Sequence, residues 1–69
     1  MAQYCVNTNA DTNGDHEVHN LATCAHLPEP KHRKALGEFS SCHGAVREAK
    51  KTYPTANGCY HCSNECHTT

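Results

Sequence analysis

The sequence has no tryptophan, one phenylalanine, three tyrosines and one methionine among 69 residues. That shortage excludes a core of ordinary size. A chain this short leaves much of its surface in water, and little apolar area is available to offset roughly 1.5 kcal/mol of ordering entropy per residue. No apolar run exceeds a few positions, which excludes a helical membrane span. The opening Met1-Ala2-Gln3-Tyr4-Cys5, followed by Asn, Thr and Asp within a few positions, has neither the basic nor the apolar region of a signal peptide. The expectation is therefore a reducing cytoplasm, where paired cysteines mean zinc more often than disulfides. Charge of one sign is missing too: six Lys or Arg against seven Asp or Glu leave −1. This balance argues against strong nonspecific binding of nucleic acid, which rests on neutralising phosphates. No internal repeat is present, and a single domain over 1–69 is expected.

What the sequence does have is six cysteines and seven histidines, the means by which a small domain is stapled through disulfides or a metal. Gln3 to Asn7 has the aromatic and β-branched content of a short strand, and the polar NTNADTNGD that follows reads as loop. His16 to Leu21 reads as a second strand, Ala25 to His32 with its two prolines as an irregular connector, and Lys34 to Phe39 as a third strand. Gly37 inside that strand marks a bulge or a close approach. Ser40 or Ser41 can cap a helix in which Cys42, Ala45, Val46, Ala49 and Tyr53 share one face. Pro54 and then Asn57-Gly58 end it, and Ser63 to Cys66 reads as a final helical turn. The fold class expected is α+β: two or three short antiparallel strands, one main helix and a C-terminal CxxC knuckle.

Cys59-Tyr60-His61-Cys62 is the sharpest motif. Two intervening residues let both thiolates reach one tetrahedral ion at about 2.3 Å, with amides of the turn free to donate to sulfur. The remaining ligands must come from the first half of the chain, because a site closed within the last ten residues would staple nothing. Cys24 is the best sulfur there. His16 and His19 both precede it but point to opposite faces of an extended segment, so one of them binds, and His19 is the choice, its ring being carried toward Cys24 more easily. The expected metal ligands are His19, Cys24, Cys59 and Cys62, and the expected cofactor is Zn2+.

A strand, a His, a nearby Cys, a short strand ending in Phe and Ser, an Ala-containing helix and a final CxxC together resemble the small metal-binding domain of the Ada DNA-repair protein family and its short relatives appended to nucleases. The chain is also similar to a group of small bacterial cysteine- and histidine-rich proteins of uncharacterised role that share the patterns GDHEVH, LGEF, AV-x-x-AK and NGC-x-x-CSNECH. The likeness runs from Tyr4 to His67. In the short Ada-like domains one His, one Cys and the closing Cys pair hold zinc, which the resemblance carries onto the same His19, Cys24, Cys59 and Cys62. Four residues separate His19 from Cys24 where three are usual, and a longer connector with two prolines follows. Methyl transfer to a zinc-bound cysteine belongs to a four-cysteine site and is not implied here.

Cys42, on the inward helix face, and Cys66, after the knuckle, can meet in the core as two buried thiols, a disulfide or extra ligands. Cys5 is expected to be a free thiol at a strand edge. Four look-alikes are set aside. NADTNGDHEVHN begins and ends on Asn and lacks the bidentate Glu and flanking helices of a calcium loop. His16-Glu17-Val18-His19 places its second His one position short of the zinc-protease spacing. Cys59 and Cys62 as a thiol-disulfide couple would sit at the wrong end of a chain too short for a βαβ scaffold. Cys62 to His67 has a rare haem-attachment spacing that would require export. Lys31 to Lys34 is the one basic cluster, read as an exposed connector before a phosphate-contacting patch.

No nucleophile, base and orienting group assemble, so the sequence points to a non-enzymatic interaction module with a structural His/Cys3 zinc site and an unidentified protein partner. The competing readings are a nucleic-acid-associated module using residues 31–34, and a disulfide-stapled or thiol-redox protein using Cys59 and Cys62.

Overall fold

The structure, a computed structural model, describes residues 1–68. Four strands, β1 (Ala2–Asn7), β2 (His16–Asn20), β3 (Arg33–Phe39) and β4 (Ala56–Gly58), form one sheet in the order β3-β1-β2-β4, with a single α-helix, α1 (Cys42–Ala49). Short 3-10 turns cover Pro30–His32 and Asn64–Cys66. The α+β class is as expected from the sequence. β1 pairs antiparallel with both β2 and β3. The strand not expected is β4, which runs parallel to β2 with His16 opposite Ala56 and Val18 opposite Gly58. Its three residues, Ala-Asn-Gly, carry no strand propensity, so the sequence shows them only as a turn.

Alternation along the strands gives the sheet two working faces. Tyr4 and Val6 of β1 and Val18 of β2 turn toward α1, where they join Cys42, Ala45, Ala49, Ala56 and Cys66 in the core. Cys5 and His19, opposite each other across the β1–β2 ladder, turn to the other face. The bulge suggested by Gly37 is present. Tyr4 faces Gly37 while Cys5 faces Ala35, so Leu36 is the extra residue, and Gly37 takes φ +102°, which glycine adopts without strain.

Helix α1 is capped by Ser41, whose side chain accepts from the His43 amide. Small residues at Cys42, Ala45 and Ala49 bury its inner face. The helix stops at Ala49 rather than running on to Tyr53: the amides of Thr52 and Tyr53 both turn back onto the Ala49 carbonyl. Pro54, which has no amide to donate, keeps this last turn from extending into further helix. Tyr53 still packs against the core, and its ring stacks on His16 at 4.0 Å.

Three further expectations are settled by placement. Cys5 is not at a sheet edge. It lies on the interior strand β1, is buried, and burial pushes its thiol pKa up, which makes it a free but protected thiol. The 8–15 loop is held from within: Asp11 accepts the amides of Asn13 and Asp15 at 2.8 and 3.0 Å, so its carboxylate serves the turn. Within the basic segment, Arg33 and Lys34 are neighbours on β3 and project to opposite faces. Arg33 also donates to the Pro28 carbonyl at 2.7 Å.

Gly58 fixes how the knuckle folds back over the sheet. A Cβ there would lie 2.6 Å from the Ser63 carbonyl oxygen, 2.7 Å from Cys66 Cβ and 2.8 Å from Cys66 C. Two of those atoms are backbone and cannot swing away. At Gly44 the obstacle is a ring carbon of Phe39 at 2.8 Å, which side-chain rotation can relieve. Gly58→Ala is expected to cost more than Gly44→Ala in urea unfolding, at the upper end of the about 1–3 kcal/mol typical of overpacking. A Gly58→Ala protein as stable as the parent would mean that the knuckle is not seated in this way.

Candidate metal centre

Each half of the site is shaped by local hydrogen bonds before the halves meet. His19 is held by the antiparallel pairing of β1 and β2. Immediately after β2 the chain turns on Asn20: its carbonyl accepts the amides of Thr23 and Cys24 at 3.3 and 3.0 Å, and its side-chain oxygen accepts the Ala22 amide at 2.9 Å. That turn brings Cys24 back over the strand end. In the other half, the Cys59 amide donates to the Val18 carbonyl at 3.0 Å, extending the β4 ladder by one bond, and the Ser63 amide donates to the Cys59 carbonyl at 2.9 Å, closing the knuckle around Cys59 and Cys62.

The parallel register then places the halves together. With Val18 opposite Gly58, the next residues, His19 and Cys59, project to the same face. The ligating atoms of His19, Cys24, Cys59 and Cys62 all lie within 4.8 Å of one another. His19 Nδ1 is 3.4 Å from Cys24 Sγ and 3.9 Å from Cys62 Sγ, and the sulfurs of Cys24 and Cys59 are 3.9 Å apart. Metal–sulfur bonds of about 2.3 Å and metal–nitrogen bonds of about 2.0–2.1 Å at tetrahedral angles put such atoms about 3.6–3.8 Å apart. The observed separations have that size. These Cys/His groups can hold a metal ion.

Of the residues singled out in the sequence, His19, Cys24, Cys59 and Cys62 are brought together, with His19 and Cys59 buried and the other two cysteines half-buried. His16 is not. It lies on the opposite face, with its Nδ1 2.9 Å from the Asn7 carbonyl and its ring against Tyr53. Cys42 and Cys66 are joined by a disulfide on the helix side.

The surroundings suit thiolate and imidazole ligands. Backbone amides point at sulfur: Asn20 at Cys62 over 3.3 Å, His26 at Cys24 over 3.4 Å, and those of Cys62 and His61 at Cys59. Such donors offset part of the negative charge that builds up on a thiolate-rich site. His19 Nε2, the ring nitrogen turned away from the sulfurs, faces the Glu17 carboxylate at 3.8 Å. The rings of His26 and His61, two residues after Cys24 and one before Cys62, stack at 3.9 Å. Sequence reasoning missed Glu17, although a residue two positions before His19 on a strand must share its face. It also missed the His26–His61 stack, for which the sequence holds no signal.

Burial governs the titration of the cluster. It pulls the His19 imidazole down to about 4, with Arg33 and His26 adding to the effect, so the ring is neutral and its lone pair available at neutral pH. Burial also pushes Cys59 up, against the opposing backbone amides, and takes Cys62 up to about 12 with help from its hydrogen bond to Cys24.

Comparison with protein-family models, with curated proteins and with solved structures finds no match. The chemistry of the site therefore has to be argued from its own geometry.

An ion entering this site must displace the protons of Cys59 and Cys62 but none from His19. Each displaced proton makes the apparent affinity rise tenfold per pH unit. Competition against a chromophoric chelator should thus show metal affinity climbing by at least about 100-fold per unit between roughly pH 6 and 8. A flat profile would mean that the thiols are already ionised and the burial argument is wrong.

Proposed function

We propose that this protein is a small non-enzymatic zinc-binding module in which His19, Cys24, Cys59 and Cys62 hold one structural Zn2+. The observation that carries this reading is the convergence of one imidazole nitrogen and three unpaired sulfurs, at tetrahedral separations, from two segments 35 residues apart at Cys24 and Cys59. A soft, nitrogen-containing donor set of this kind favours zinc over the hard cations, which take oxygen. Four protein ligands leave no open position for water or substrate, which makes the ion a staple rather than a catalyst. The Ada-like resemblance supports the same ligand set, and the role proposed is that of an interaction module of the cell interior. Its knuckle offers Tyr60, 59% exposed and edge-on to His61 and His67, as the large side chain available to a protein partner.

The competing readings draw less support. Redox-active cysteines need a lowered thiol pKa and access to solvent, whereas Cys59 is buried and both Cys59 and Cys62 are pushed up. The basic segment offers nucleic acid only divided charge, as described for Arg33 and Lys34. No helix of the described residues is long and apolar enough to cross a membrane.

Magnitudes decide which staple matters more. In the chain-entropy account, a disulfide closing a loop of the 24-residue separation between Cys42 and Cys66 is worth about 3.5 kcal/mol. Structural zinc in small domains contributes on the order of 10–16 kcal/mol. Elemental analysis is expected to give one zinc per chain with the disulfide intact, lost in His19→Ala and Cys62→Ser but retained in Cys5→Ser. Excess chelator should abolish amide dispersion, while reduction of the disulfide alone lowers the melting temperature and leaves the fold. A far-UV spectrum and amide dispersion that survive chelation under reducing conditions would overturn the zinc staple.

A further inference from the structure

A second group of soft ligands lies on the opposite face of the sheet. Cys42 opens α1, and Cys66 ends the 3-10 turn that follows the knuckle. A ring nitrogen of His43 lies within 4.8 Å of both of their sulfurs. Glu65 brings a carboxylate oxygen to 3.9 Å from Cys42 Sγ. Two sulfurs and a nitrogen are three of the four ligands of a zinc-like ion, and the fourth position is left to water or to the neighbouring carboxylate. The Cα atoms of Cys42 and Cys66 are 6.2 Å apart, a span from which two thiolates can reach one ion at about 2.3 Å by side-chain rotation alone. His43, Glu65 and Cys66 also line an open cavity of about 340 Å3 between α1 and the C-terminal segment. An ion therefore has a route in from solvent, and His43 is already exposed.

We propose that Cys42, His43 and Cys66 form a second, redox-gated site for a thiophilic divalent ion, closed while the disulfide stands and open once it is reduced. The chemistry balances with an external dithiol as co-reactant. The dithiol gives two electrons and two protons to the Cys42–Cys66 bond and leaves as its own disulfide. Cys42 and Cys66 become thiols, and the ion displaces their two protons to form two metal–sulfur bonds. In reverse, a low-molecular-weight disulfide accepts two electrons from the bound dithiolate, the Cys42–Cys66 bond re-forms and the ion is released. The reduced co-reactant, now two thiols, takes up two protons. Because Cys62 and Cys66 belong to one short segment, the two sites share the knuckle but none of their ligands.

The test uses the full chain and zinc as the probe. Zinc per chain is measured by elemental analysis after dialysis, for the disulfide form and for protein reduced with a phosphine that is then removed. One equivalent is expected before reduction and two after it. Reduced Cys42→Ser and reduced His43→Ala should return to one equivalent, and His43→Ala decides the matter if Cys42→Ser does not fold. Re-oxidation with a small disulfide should release the added equivalent. The inference is overturned if reduction adds no zinc, or if the added zinc persists in His43→Ala. Its failure is separable from that of the structural site. Zero before reduction and one after it, lost in His43→Ala, would sustain the gated site and defeat the His19/Cys24/Cys59/Cys62 reading. One equivalent throughout would do the opposite.

Discussion

Val18 of β2 faces Gly58 of β4 in a parallel ladder, and the organisation of the molecule follows from that register. It sets Cys59 beside His19, so that two turns, one folding Cys24 back over β2 and the other closing the knuckle, deliver their sulfurs to one point. The same register presses Gly58 against Ser63 and Cys66, where there is no room for a side chain. A one-residue slip would turn the knuckle sulfurs to the helix side and His19 would lose its neighbours. Three residues of weak strand propensity cannot enforce such a register by themselves. A metal ion bridging the strand ends would.

The sheet works as a partition. On one face, Tyr4, Val6 and Val18 meet the small inner residues of α1 in a core with few large side chains. On the other, polar and soft donors collect around His19. A domain without a large apolar core usually has one face to spare, and here that face carries the cluster instead of facing water. Burial there is what keeps His19 neutral and Cys59 and Cys62 protonated until something displaces their protons. The result is a set of ligands held close together whose charge appears only with an ion to balance it. Cys42 and Cys66 sit across the partition, so each face has its own sulfur pairings and no thiol has to choose between them.

Much of this was legible because it is local. The helix announced itself through Ser41 and the spacing of Cys42, Ala45 and Ala49. The bulge was signalled by Gly37, and the ligand half-site by the two residues between Cys59 and Cys62. The alternation of a strand separated His19 from His16, and nearness to the turn before Cys24 favoured His19. The expectations that failed were those requiring knowledge of neighbours. Cys5 is near the terminus in sequence but on an interior strand in space, and β4 exists because β2 offers it a ladder, not because Ala56-Asn57-Gly58 prefers one.

The amino-acid sequence by itself determined which donors the protein owns, their pairwise spacing and the lack of apolar bulk that makes a staple necessary, since these depend on composition and on contacts a few residues long. Only the tertiary structure decided which donors meet. It joined Cys42 to Cys66, left Cys5 aside, and set the half-site around His19 and Cys24 against the one around Cys59 and Cys62. That pairing spans 35 residues between Cys24 and Cys59, and contacts at such a distance are fixed by strand order and register rather than by local preference.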